Sequence, residues 1–207
     1  MIKNTLVVNL FSGPGAGKST AAAGIFSNLK CRSIECELVQ EFAKDLVWEK
    51  RYFTFNNQIY IFGEQHHRVF KLIGQVDVII TDSPTVLGVI YDSEKRSSLE
   101  TLIIEEFKKL NSYNVFLRRY KSYNPNGRNQ TEKEAVTVDE QILTVLNKHD
   151  IPFELGTGSK DGIEIISNKI VDELLPRMLT RIEAPPANFA VSASYLSSDL
   201  ADWNSMS

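Results

Sequence analysis

Cysteine is nearly missing from this chain: Cys31 and Cys36 are the only two among 207 residues. No further Cys or His stands close enough in sequence to complete a zinc set, so the expectation is free thiols in a reducing compartment, with no disulfide scaffold. A dominant charge is also lacking. Lys and Arg total 23 against 26 Asp and Glu, a formal net charge of −3. That balance gives no sign of a nucleic-acid backbone as partner and leaves only a local basic patch open. Long apolar runs are absent too. Asn4, Thr5 and Asn9 interrupt the N-terminal apolar stretch, no signal-peptide pattern is present, and nothing approaches the ~20 apolar residues of a membrane span. The expectation is a soluble, cytoplasmic protein with no membrane partner and the length of one generous domain.

What is present begins at Leu6. An apolar strand, Leu6 to Phe11, runs into Gly13, Pro14, Gly15, Ala16 and Gly17, and Lys18, Ser19 and Thr20 then open a helix-like segment. This is the context of a phosphate-binding P-loop. Its glycines let successive N–H groups face one bowl, and the helix N-terminus adds its positive dipole end. Gly13 to Thr20 are therefore expected to cradle a nucleoside triphosphate, with Lys18 reaching the β- and γ-phosphates and Ser19 holding Mg²⁺. The strict pattern G-x-x-x-x-G-K-[ST] places its first glycine at position 12, where this chain has Ser12.

Strand-like and helix-like segments alternate through most of the chain. Strands are expected at Leu6–Phe11, Glu35–Val39, Val76–Thr81, Asn114–Leu117 and Pro152–Leu155. Helices are expected at Lys18–Leu29, Gln40–Glu49, Asn57–Gly74, Leu99–Leu110, Glu132–Lys148 and Ile163–Leu179. Such alternation predicts an α/β fold with an open, mainly parallel sheet covered by helices on both faces. Ligands of such sheets bind at the carboxyl ends of the strands. Residues 1–182 form the expected domain. From Glu183 to Ser207 the composition turns to Ala, Ser and Pro, which reads as a tail or peripheral arm.

Several residues fall where chemistry would need them. Asp82 closes the third strand as Walker-B carboxylates close theirs, and would hold Mg²⁺ together with Ser19. Glu41 follows the second strand, where a carboxylate could take the proton of an attacking hydroxyl or anchor an acceptor; a solvated charge on a helix's first turn is the equal alternative. Arg118, Arg119 and Arg128 flank a polar loop after the fourth strand and read as a lid whose guanidinium groups cover the γ-phosphate. Trp48, Tyr52, Phe53, Phe55 and Tyr60 crowd one region; core packing is the expected fate of each, with stacking on a base or nicotinamide-like ring as the lesser alternative. Adjacent His66 and His67 point apart on a helix and do not make a metal pair; a substrate contact by Gln65 or His66 is a minor alternative. Asn147 to Asp150 spells N-K-x-D, the guanine-reading motif, but on helical spacing, and Asp82 to Thr85 lacks the glycine of D-x-x-G. Both facts weigh against a GTPase.

Taken together, the P-loop, Glu41 to Asp45, the Asn57-to-Arg68 helix with Glu64 to Arg68, Thr81 to Pro84 and the Tyr123-to-Gln130 loop resemble the P-loop nucleoside and nucleotide kinases. More narrowly they resemble the AAA-type ATP-binding domains common in tailed phages, related to the ribosylnicotinamide kinase domain of bacterial NAD-salvage proteins. The resemblance covers about the first four-fifths of the chain. It implies a three-layer fold with five strands ordered 2-3-1-4-5. Glu41 then lies beside the acceptor, Asp82 is the Mg²⁺-associated carboxylate, and Arg118 to Arg128 form the lid. The implied activity is transfer of the ATP γ-phosphoryl group to a small-molecule nucleoside, nucleotide or nicotinamide-riboside-like acceptor. The alternatives are a kinase of a hydroxymethylated base in DNA and an ATPase switch without an acceptor.

Overall fold

The computed structural model describes residues 4–120 and 132–176. Within them the chain runs β1 (Leu6–Phe11), α1 (Lys18–Cys31), β2 (Cys36–Val39), α2 (Phe42–Trp48), a 3-10 turn (Tyr52–Asn56), α3 (Gln58–Phe70) and β3 (Val78–Thr81). It continues with α4 (Leu87–Tyr91), α5 (Ser97–Lys108), β4 (Ser112–Arg118), α6 (Glu132–Lys148), β5 (Glu154–Thr157), α7 (Lys160–Lys169) and a π turn (Ile170–Leu174). The five strands form one sheet in the order β2-β3-β1-β4-β5. Every pairing is parallel, as the expected topology requires. All five carboxyl ends therefore lie along one edge, and the loop after each strand opens there.

The central strand explains the layering. All six residues of β1 are buried, so both of its faces need cover. On one face Val7, Val39 and Ile79 pack with Val69 of α3. On the same side Phe11 and Phe116 pack with α4, α5 and α6 through Ile90, Phe107, Ile142 and Leu146. The other face lies under α1 and α7, which pack on each other. One polar pair sits inside this apolar stack. Asn9 of β1 lies opposite Asn114 of β4 and donates to its Oδ1 at 3.0 Å. A slip of one residue would break this side-chain bond inside the apolar stack, so the pair favours the β1–β4 register.

The differences from the predicted elements have local causes. Glu41 stays extended as the N-cap of α2, so the helix starts at Phe42 and not at Gln40. The segment between β3 and α5 folds a short helix, α4, which its near-continuous apolar composition concealed. β5 begins two residues after Pro152, whose missing N–H cannot join a ladder; its carbonyl instead accepts from Asn114 Nδ2 at 2.9 Å. α7 starts at Lys160 because Ser159 caps it, accepting from Gly162 N at 3.1 Å. The C-terminal arm from Glu183, the end of the predicted last helix and Arg128 lie outside the described residues. Among those described, no helix is long and apolar enough to cross a membrane.

Candidate active site

The P-loop leaves β1 and turns at Gly15 (φ 86°) and Gly17 (φ 95°), left-handed positions that favour glycine. Gly17 is also the N-cap of α1, so the helix's free N–H groups open onto the turn. Gly13 is required for a different reason. A Cβ there would meet Ala135 O of α6 at 2.5 Å. Ser12, standing in the first motif position, is buried and donates its hydroxyl to Gly13 O at 3.1 Å. Lys18 folds back over the turn, donating from Nζ to Ser12 O at 2.5 Å and Gly13 O at 3.1 Å. Burial draws its ammonium below the usual lysine range, while Glu41, Asp82 and Asp139 pull it back up and Arg119 adds to the lowering.

Directly beside it, Ser19 Oγ donates to Asp82 Oδ2 at 2.6 Å. The other carboxylate oxygen, Asp82 Oδ1, is buried and has no protein partner. A buried carboxylate oxygen without a donor is costly and is what a cation or its hydration shell would satisfy. No group of three or more His, Cys, Asp or Glu with metal-binding geometry occurs among the described residues. One hydroxyl and one carboxylate suit Mg²⁺, which keeps several waters and takes further oxygens from phosphates. The residues present therefore fit that ion. Lys44, one turn into α2, brings Nζ to 3.4 Å from Ser19 Oγ. In the sequence this lysine stands only within the Glu41-to-Asp45 segment, with no role of its own.

Glu41 faces the same space from β2's carboxyl end. Its side chain makes no capping bond to α2, which leaves it directed at the site. Burial raises its carboxyl above the ordinary range; Lys18 pulls it down, Asp82 pushes it up, and Lys44 lowers it again. The backbone on either side is held by α3. Phe42 N donates to Gln65 Oε1 at 2.8 Å, and Gln65 Nε2 reaches Gln40 O at 3.5 Å. Arg68 adds a pair with Asp45 and lies over the Phe42 ring, 5.0 Å from its centroid. Gln65 thus supports Glu41's backbone. His66 sits between the rings of Phe62 and Phe70, facing Glu106.

The arginines separate. Arg118 ends β4 with an exposed side chain, opposite Thr157 in β5. Arg119 lies against the P-loop. Its Nε donates to Asp139 Oδ2 at 2.8 Å, Nη1 to Pro14 O at 2.8 Å and Nη2 to Ala135 O at 3.1 Å. Asp139 also accepts from Gly13 N. This residue escaped the sequence reading because it sits mid-helix with no motif around it. Tyr91, at the end of α4, shares the electrostatic neighbourhood: burial first, then Glu41 and Asp139, push its hydroxyl up to about 12.

At the far end of the P-loop, Gly158 after β5 approaches Ala16 O, Gly17 O and the ring of Tyr120, each within 3.4 to 3.6 Å of where its Cβ would be. Between β2 and α3 the aromatics contradict the packing expectation. Trp48 is 81% and Phe53 88% exposed, with Tyr52 and Phe55 exposed as well. Only Tyr60 of that group packs, edge-on to Phe42. The reason is local: the 3-10 turn lifts this segment off the sheet and buries none of its residues. Asn147 and Lys148 end α6 at the amino edge, where Lys148 and His149 both bond Glu100 Oε1 at 2.7 Å. They are remote from the P-loop, as their helical spacing implied. A cavity of about 450 Å³ between α4, α5 and α6, lined by Val89, Arg96, Leu99, Gln141 and Val145 among others, contains none of the site residues.

The sequence matches no protein-family model and no curated protein. Solved structures do resemble the chain. A cysteine-to-alanine variant of the APS kinase CysC from Mycobacterium tuberculosis aligns at 17% identity and TM-score 0.40, over 71% of this chain and 99% of that one. Shikimate kinase from Bacteroides thetaiotaomicron aligns at 14% identity and TM-score 0.42, over 83% and 98%. The chemistry is read from the side chains at the carboxyl edge of the sheet.

Proposed function

We propose that this chain is an ATP-dependent phosphotransferase that moves the γ-phosphoryl group to a hydroxyl or phosphate of a nucleoside, nucleotide or nicotinamide-riboside-like small molecule. The observation that carries the reading is the convergence of three loops. Lys18, the Ser19–Asp82 pair with its unpartnered oxygen, and the half-buried Glu41 come from the ends of β1, β2 and β3 and face one space. The P-loop N–H groups and Lys18 hold the β- and γ-phosphates. Ser19 and Asp82 hold Mg²⁺, which when bound neutralises phosphate charge. Glu41, its proton affinity raised, accepts the acceptor's proton or anchors it. Arg119 stands at the phosphate side, and Arg118 and Arg128 belong to the lid that follows β4.

The test is incubation of the protein with γ-labelled ATP and a panel of nucleosides, nucleotides, nicotinamide riboside and DNA containing hydroxymethylated bases. Label transferred to one small molecule supports the reading. ATP hydrolysis at a steady rate, insensitive to every acceptor, favours an ATPase switch instead. Transfer to the DNA favours a second reading, a kinase of a hydroxymethylated base, and one observation supports it: exposed Trp48, Tyr52 and Phe53 alternate with Lys50 and Arg51 on the acceptor lip, as stacking and phosphate-binding groups do in single-strand binders. GTP outcompeting ATP would revive the GTPase alternative that the N-K-x-D placement weakens.

A further inference from the structure

Gly13, Arg119 and Asp139 form a closed three-way contact between the P-loop, the end of β4 and the middle of α6. Asp139 divides its carboxylate, Oδ1 accepting from Gly13 N and Oδ2 from Arg119 Nε. Arg119 then returns to the P-loop through Pro14 O and to α6 through Ala135 O. Both side chains are largely buried, 18% and 17% exposed, so solvent screens the pair weakly. The fit is close: a Cβ on Gly13 would lie 3.0 Å from Asp139 Oδ1 and from Arg119 Nη2. Among the described residues, three of the guanidinium's five N–H groups are used, which leaves one on each terminal nitrogen. A lone carboxylate beside an anion cradle would repel phosphate; here the paired arginine cancels it.

We propose that Asp139 is a positioning residue for the donor nucleotide. It fixes the first turn of the P-loop and Arg119 as one unit, so that the bowl of N–H groups and the two unspent arginine N–H groups stand ready before the triphosphate enters. Arg119 on this view is a fixed brace of the cradle and does not travel with the lid. The inference rests on the phosphotransferase reading and extends it to a residue outside every recognised motif. Asp139→Asn tests it sharply, because the amide oxygen still accepts from Gly13 N while the amide N–H₂ meets Arg119 with a donor.

The experiment is equilibrium binding of a fluorescent ATP analogue to the full chain, comparing wild type, Asp139→Asn, Arg119→Met, the double variant and Lys18→Ala. Each single variant of the pair is expected to bind roughly ten- to a hundredfold more weakly, the range for a lost hydrogen bond to a charged group. The double variant should be no weaker than the weaker single. In turnover the loss should fall on KM for ATP far more than on kcat, and the KM for the acceptor should not move, a split that general loss of folded protein does not produce. Wild-type affinity in Asp139→Asn and Arg119→Met, or losses that simply multiply in the double variant, would overturn the inference alone. If Lys18→Ala also binds like wild type, the donor-site reading falls and takes the inference with it.

Discussion

Around Gly13 and Lys18 the chain is tied down by hydrogen bonds from α6, from Arg119 and from the P-loop's own carbonyls. From Trp48 to Phe55, at the end of α2 and in the 3-10 turn after it, large aromatic side chains face water. On the proposed reading the donor side takes a group of fixed shape and charge, and a preorganised cradle loses nothing by being rigid. On the same reading the acceptor side combines Glu41, whose backbone Gln65 holds, with an aromatic shelf left exposed among the described residues. Exposed aromatics of that size are unusual away from a binding surface. Stability and recognition are thus divided between the two lips: the bonds lie on one, the unspent apolar area on the other.

The contrast breaks most completely at Lys18. Lys18→Ala should lower phosphoryl transfer by about a thousandfold or more while the protein melts as a folded domain, because the variant removes a buried cation and no core volume. Transfer rates with labelled ATP and a thermal melt check both halves.

Glu41→Gln strikes the acceptor lip and should cost about a hundredfold in rate. Its pH behaviour is the sharper signature. Since burial raises the carboxyl's proton affinity, wild-type activity should fall as pH drops through that raised value, and the Gln variant should lack this acid limb. Stability moves the other way. The folded state binds this proton more tightly than the unfolded chain does, so the ionised group costs stability above its folded pKa. Glu41→Gln should therefore be more stable at neutral pH, with the gain shrinking as pH falls towards the ordinary carboxylate range. Denaturant midpoints at neutral and mildly acidic pH measure that difference.

Gln65→Ala removes the support without touching substrate. Freeing Phe42 N and Gln40 O should cost roughly 1 kcal/mol in stability. The resulting misplacement of Glu41 should lower kcat by about tenfold, with ATP affinity unchanged. Equal losses in ATP binding would show that α3 serves the donor lip as well. The smallest effect is expected at Phe53. Because its ring is exposed, Phe53→Ala should shift stability by less than about 0.5 kcal/mol. Its mark should be a few-fold rise in KM for the acceptor alone, the loss expected when a stacked ring is removed. A change in KM for ATP instead would place the shelf outside the acceptor site.

How much of this was legible in the residues follows the same division. The P-loop, Asp82 and the parallel sheet could be read because each leaves a local mark: an apolar strand, a glycine turn, a carboxylate closing a strand; the strand order follows only from the family resemblance. Glu41 was marked only by its place after β2. Asp139 leaves no mark and Lys44 only its place within Glu41 to Asp45, since their positions arise from helices brought alongside the P-loop by tertiary packing. Gln65 was noticed for the wrong partner, because sequence does not say that α3 lies under the start of α2. The aromatics were misjudged for a related reason. Composition says that Trp48 and Phe53 are apolar, and only the folded end of α2 and the 3-10 turn after it decide that they face outwards. Arg128 lies outside the described residues, so its lid role stands as the sequence reading left it.

Because all strands run the same way, the functional loops leave the sheet at one edge, and the turns at the other edge carry none of the candidate site residues. The molecule can therefore be cut where it does no chemistry. New termini at the exposed turn Arg32–Ser33, or a reporter domain spliced in at Lys109–Leu110, would interrupt neither lip. The same operation at Ser83 or Gly158 would sever a wall of the site. The amino edge is the handle by which this protein can be tethered, permuted or fused.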